Sequence, residues 1–209
     1  LADIIKKSGD PNLIKNMNRV ALKDIYNQIM EIDTVGGGGL GLMKLNPEAL
    51  NKLLTRDFVI GGNVDEVVSF TNLYSPFLSG KQLSNLKILN ASMQNEFRRA
   101  VTGPEMVEAA IALTLKGEAS AATLGRFIFG PLNKYTYRMG QRGRTLKDKT
   151  YSLMGEAVLK PEILDKLVRQ MNKKQNINQV IRFFMSLDSV RANDIGRDLE
   201  EAQEYLDED

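Results

Sequence analysis

The sequence contains no cysteine and no histidine. Their absence excludes disulfides, thiolate zinc sites, Cys or His nucleophiles and any Ser-His-Asp triad. It is compatible with every redox compartment and identifies none. No apolar run opens the chain, so no signal peptide is expected. The most apolar zone, residues 106–132, is interrupted by Glu108, Lys116, Glu118 and Arg126. It falls short of the roughly 20 apolar residues that a membrane span needs. A large excess of one charge sign is missing too: the formal net charge is +2, too small for a global field toward nucleic acid or membrane. Because the chain begins at Leu1, the expectation is a piece of a longer polypeptide.

What is present suits a folded helical protein. The chain has 209 residues, 43% hydrophobic and 26% charged, which is ordinary for a globular chain with a sizeable core. Asp10-Pro11 is a helix start, since Asp caps and Pro is tolerated at the first helical position. Ile14, Met17, Ala21, Ile25, Ile29 and Ile32 then recur in steps of three and four, which marks one helix face. Asn46-Pro47-Glu48 restarts a helix carrying Leu50, Leu53 and Leu54 by the same logic. Asn63-Val64-Asp65-Glu66 has the pattern of a capping box, which predicts a helix running toward Tyr74. Residues 57–62 are the one stretch with strand character, too isolated to imply a sheet.

Further along, Leu83, Leu86, Leu89, Met93, Phe97 and Val101 share the face of a long helix, ended by Gly103-Pro104. An Ala-rich helix is expected after Pro104. Gly130-Pro131 breaks the pattern again, Pro161 starts a helix with Ile163, Leu164, Leu167 and Met171, and Val180 to Leu187 reads as a short apolar helix. The expected class is therefore all-α, a multi-helix assembly of amphipathic helices joined by Gly- and Pro-rich loops. Three regions are expected: 1–102, helical with a Gly-rich loop at 36–41; 103–187, Ala-rich and basic; and 188–209, an acidic C-terminal helix or tail.

Chemistry is sparse. The loop holds four consecutive glycines, Gly36 to Gly39, but a helix precedes it and no Lys-Ser or Lys-Thr step follows. A connector or close-packing loop fits better than a phosphate cradle. Glu105 and Glu108 sit where a helix dipole favours acids anyway, so no carboxylate pair calls for a catalytic role. No catalytic residue, metal site or cofactor is expected.

Charge is the informative feature. Between residues 126 and 174 there are twelve basic and four acidic residues, net +8; between 188 and 209 there are nine acidic and two basic, net −7. Arg126, Lys134, Tyr135, Tyr137, Arg138, Arg142, Arg144, Lys147 and Lys149 are the candidate contacts to an anion, DNA or a subunit. Asp198, Glu200, Glu201 and Glu204 are the candidate docking residues of the acidic tail. Solvated helix faces are the third reading. Around Gly140 and Gly143 the expectation is a bend. Arg138 and Arg142 share a face before it, Arg144 turns elsewhere, and Thr145 caps the next helix.

The stretch 123–168 carries Gly125-Arg126, Phe129-Gly130-Pro131-Leu132, the arginines from Arg138 to Arg144, and Leu159-Lys160-Pro161-Glu162-Ile163-Leu164. It resembles the C-terminal region of the large internal virion proteins, the ejection or core proteins, of short-tailed phages. The resemblance covers about a quarter of the chain. It implies a non-enzymatic, oligomeric structural module stacked on the portal inside the capsid. Such a module would pass with the genome to the host envelope and help form a DNA conduit. Its partners would be copies of itself, or other core and portal proteins in a ring, with non-specific DNA contact. A helical nucleic-acid-binding domain of another large complex is the alternative.

Overall fold

A computed structural model describes residues 9–32, 43–59, 67–102, 141–170 and 177–207. Among them the chain is dominated by helices, with two short antiparallel strand pairs. Helix α1, Pro11–Ile29, begins behind Asp10, whose carboxylate accepts from the Asn12 amide at 2.9 Å. Ala21, Leu22, Ile25 and Ile29 on its inner face are buried. Ile32 leaves the expected stripe. It belongs to strand β1, Met30–Ile32, which pairs with β2, Met43–Leu45, and it is 61% exposed. The helix ends because Met30 turns to extended backbone, and side chains then alternate sides rather than returning every third or fourth residue.

Asn46 caps α2, Pro47–Thr55, by accepting from the Ala49 amide at 3.0 Å. Strand β3, Asp57–Val59, pairs with β4, Val67–Ser69. This corrects the helix expected from Asn63 to Tyr74. Residues 63–66 lie outside the described residues, and 67–69 are strand, with Phe58 opposite Val68 in the half-buried middle position. β-Branched Val67 and Val68 suit a pleated, half-buried surface. The helix begins only at α3, Phe70–Tyr74, capped by the Ser69 hydroxyl. A reciprocal capping box does occur, later in the chain. The Gln82 amide donates to Ser79 Oγ (3.2 Å), and the Ser79 amide donates to Gln82 Oε1 (2.8 Å). It opens α4, Gly80–Thr102, where Leu83, Leu86, Leu89 and Met93 are buried.

Among the described residues four helices follow: α5, Gln141–Leu159; α6, Pro161–Gln170; α7, Ile177–Met185; and α8, Val190–Asp207. The bend expected at Gly143 and the cap expected at Thr145 are both absent, since α5 runs through them. A continuous helix keeps Leu146, Leu153, Met154, Ala157 and Val158 on buried faces, and burying them outweighs the roughly 1 kcal/mol helix cost of one glycine. Helix α5 packs against α1, β2, α6 and α8. One hydrophobic cluster therefore runs from Ala21 to Leu199. The Gly-rich loop 36–41 and the Ala-rich stretch after Pro104 lie outside the described residues.

Two glycines mark close helix contacts. A Cβ on Gly155 would meet the flexible end of the Met30 side chain; one on Gly196 would lie 2.8 Å from Met185 Cγ and 3.4 Å from the Ile181 carbonyl oxygen. Met30 can swing aside, whereas Met185 Cγ is tied close to the α7 backbone. Gly196→Val is therefore expected to destabilise by about 1–3 kcal/mol through overpacking. Gly155→Ala is expected to be near neutral, because its helix gain of about 1 kcal/mol offsets the Met30 shift. Urea unfolding of both variants checks the contrast.

Tyr74 joins α3 to α1. Its hydroxyl donates to Asp24 Oδ2 at 2.5 Å, and burial together with that carboxylate pushes its pKa from 10.0 up to about 12. A folded-state pKa above the unfolded one contributes stability that is present below pH 10.0 and lost as pH rises through about 12. Tyr74→Phe should cost about 1 kcal/mol at neutral pH. The gap between wild type and variant should close across that alkaline window in denaturant titrations.

Candidate functional site

The charge-bearing elements meet where α5 and α8 run antiparallel. Lys149 Nζ donates to Asp198 Oδ2 at 2.6 Å, and both side chains are half-buried. Two turns further along α5, Glu156 faces the start of α8. Its Oε1 accepts from Lys160 Nζ at 2.9 Å, its Oε2 accepts from Ser189 Oγ at 2.8 Å, and Arg191 Nε lies 4.0 Å away. The charges swap sides between the two levels: base on α5 and acid on α8 at the first, acid on α5 and base on α8 at the second. That alternation favours one register of the pair over its neighbours.

Buried hydroxyls complete the cluster. Arg191 donates through its guanidinium to Ser152 Oγ, and Ser152 Oγ donates to the Met43 carbonyl at 2.5 Å. Ser152 thereby ties β2, α5 and α8 together. Ser189 is the α8 cap, accepting from the Ala192 amide at 3.3 Å. A cleft of about 410 Å³ opens beside these groups, walled by Tyr26, Leu159, Asp188 and Val190.

This cluster is chemically committed. The Ser189 proton is given to Glu156 and its oxygen serves the cap. The hydrogen bond with Glu156 raises the Lys160 pKa above its ordinary value, so Lys160 stays an ammonium at neutral pH and is no base for the serine. The arrangement fixes two helices in register.

Of the sequence-derived contacts, Arg126, Lys134, Tyr135, Tyr137 and Arg138 lie outside the described residues. Arg142, Arg144 and Lys147 occupy the first two turns of α5. The acidic segment is a packed helix rather than a loose tail, with Ala192, Ile195, Leu199 and Ala202 buried. Asp198 faces α5 through its pair with Lys149, and Glu201, three residues on, is exposed. Glu200 and Glu204 line a separate groove of about 350 Å³ with Ile181, Arg182, Met185 and Gln203.

Sequence reading missed the Glu156 node. Two of its signals are local and readable: the Glu156–Lys160 spacing of four residues and a serine directly before a helix. Its contacts with Ser189 and Arg191 span 33 and 35 residues, and no local pattern announces them. Among the described residues no group of His, Cys, Asp or Glu is arranged to hold a metal, and no helix is long and apolar enough to cross a membrane. No family model, curated protein or solved structure matches the chain.

Proposed function

We propose that the chain is a non-enzymatic assembly module of an internal core protein of a short-tailed phage. It is stacked at the portal within the capsid and leaves with the genome to help form a DNA conduit through the cell envelope. The observation that carries this reading is the two-faced α8. Its apolar side is buried in the core, while Glu200, Glu201 and Glu204 are exposed. Residues 126–147 contain six basic residues and no acid. The acidic edge of α8 and the basic stretch of the sequence are opposite charges of the kind that steer one copy onto another and fix register. The resemblance of residues 123–168 supplies the phage context.

Exposed ion pairs are worth about 0–1 kcal/mol each, so these charges act on encounter and register more than on affinity. The protein should form a homo-oligomer, or a ring with the product of a neighbouring gene. Assembly should weaken with salt as the Debye length shrinks from about 10 Å at 0.1 M to about 3 Å at 1 M. Light scattering at low salt reads this directly; a monomer both alone and with that product would sink the reading. A nucleic-acid-binding domain of another complex is the second reading, favoured by the net +8 of residues 126–174. A replication enzyme rather than a portal or capsid protein in the neighbouring genes would point to it.

A further inference from the structure

Helix α4 carries a buried amide that its packing does not explain. Asn85 is 6% exposed, and its side chain makes no hydrogen bond among the described residues. Burying a carboxamide without a partner costs free energy that a leucine of nearly the same size would not. Asn85 stands three residues after Gln82, on the same side of α4. Both line a cleft of about 390 Å³ that also takes in Asn18 of α1, Lys81 of α4, and Glu162 and Asp165 of α6.

The same cleft shows how such a group is satisfied. Asn18 Nδ2 donates to Gln82 Oε1 at 3.0 Å, and Gln82 Nε2 donates back to Asn18 Oδ1 at 3.3 Å, a closed pair of carboxamides. Asn85 presents the same donor and acceptor unpaired. A simple ion uses one of the two, whereas a second carboxamide uses both. The rim is charged but balanced. Asp165 is held between Lys81 at 2.8 Å and Arg169 at 2.9 Å, and the Lys81 hydrogen bond keeps its carboxyl below the usual range. Lys81 is 59% exposed and has N–H groups to spare. Glu162 is exposed and makes no hydrogen bond or ion pair among the described residues. Two bases thus face two acids, a rim that suits a zwitterion rather than an ion of one sign.

We propose that this cleft binds a free carboxamide amino acid, glutamine or asparagine. The ligand's side-chain amide pairs with Asn85 as Asn18 pairs with Gln82, its α-ammonium faces Glu162 and its α-carboxylate faces Lys81. Such a ligand joins α1, α4 and α6 and stabilises the folded chain by mass action. The competing occupant is a water, which would serve Asn85 without discriminating between solutes. The cleft shares no residue with the α5–α8 ion pairs, so the site stands or falls independently of the assembly reading above.

The test is titration calorimetry of the full chain with L-glutamine, L-asparagine, L-glutamate and N-acetyl-L-glutamine amide. At least one of the two free amides should bind with a dissociation constant on the order of a millimolar, which is what about ten non-hydrogen atoms deliver. L-Glutamate should bind at least about tenfold more weakly than L-glutamine, because a carboxylate has no N–H for Asn85 Oδ1. The capped amide, which lacks both charges, should also be weaker. Asn85→Leu should lose binding and raise the urea midpoint, since the unpaired buried amide is gone. Glu162→Gln, an exposed change checked by thermal melting, should weaken the free amino acid about two- to fivefold. Binding of neither amino acid, equal binding of glutamate or of the capped amide, unchanged binding by Glu162→Gln, or binding that survives in folded Asn85→Leu would each overturn the proposal. No binding together with a lower urea midpoint for Asn85→Leu would assign Asn85 to a water only. If Asn85→Leu does not fold, Asn85→Ala, which only removes atoms, takes its place with the same loss of binding expected.

Discussion

Leu199→Ala is expected to lower the unfolding free energy by about 2–5 kcal/mol, the range for truncating a fully buried leucine. Leu199 is 0% exposed, inside the most acidic segment of the chain. If that segment were only a solvated face, the change would be worth less than about 0.5 kcal/mol. The large value follows from the α8 position between α5 and α7, where the removed methyl groups leave a cavity that two packed helices cannot fully close. Glu204→Ala, five residues on and exposed, should stay within about 0.5 kcal/mol. Urea unfolding at neutral pH with an unchanged slope distinguishes the two. A Leu199 effect no larger than that of Glu204 would mean that α8 is not docked.

Glu156→Ala should cost about 1–3 kcal/mol, although its side chain is partly exposed at 21%. The carboxylate serves Lys160, Ser189 and Arg191 at once. Its loss leaves the nearly buried Ser189 hydroxyl without its acceptor and Arg191 without its counter-charge, and stranded polar groups cost more than the bond they made. Glu156→Gln keeps an acceptor for Ser189 and loses the charge, so it should fall between Ala and wild type. Lys160→Ala removes an ammonium that is 44% exposed and should cost under about 1 kcal/mol. If Lys160→Ala matched Glu156→Ala, the local pair would account for the whole effect and the link to α8 would be absent.

Local signals located helix starts well. Asp10-Pro11, Asn46-Pro47 and Pro161 each open a helix where the cap and proline chemistry places it, because these interactions span only a few residues. The buried face of α4 was legible for the same reason: a period of three to four residues is a property of the backbone. The failures came where a local pattern competed with a distant partner. Ile32 continues the α1 stripe by spacing, yet β2 draws it into a strand. Val67 to Ser69 follows a capping pattern, yet pairing with β3 makes it extended. Gly143 and Thr145 look like a break and a new cap, but α5 continues through them because its core-facing residues pay for the glycine.

The candidate site divides along the same line. Twelve bases against four acids, then nine acids against two bases, is a property of composition and was legible without coordinates. So were the lack of Cys and His chemistry and the helical class. The partner of each charge was not. Asp198 meets Lys149 and Glu156 meets Arg191 only because Ala192, Ile195, Leu199 and Ala202 dock α8 antiparallel on α5. Hydrophobic burial is non-directional and fixes which surfaces meet. Ion pairs act within a few ångströms, so they form only after packing has brought their helices together.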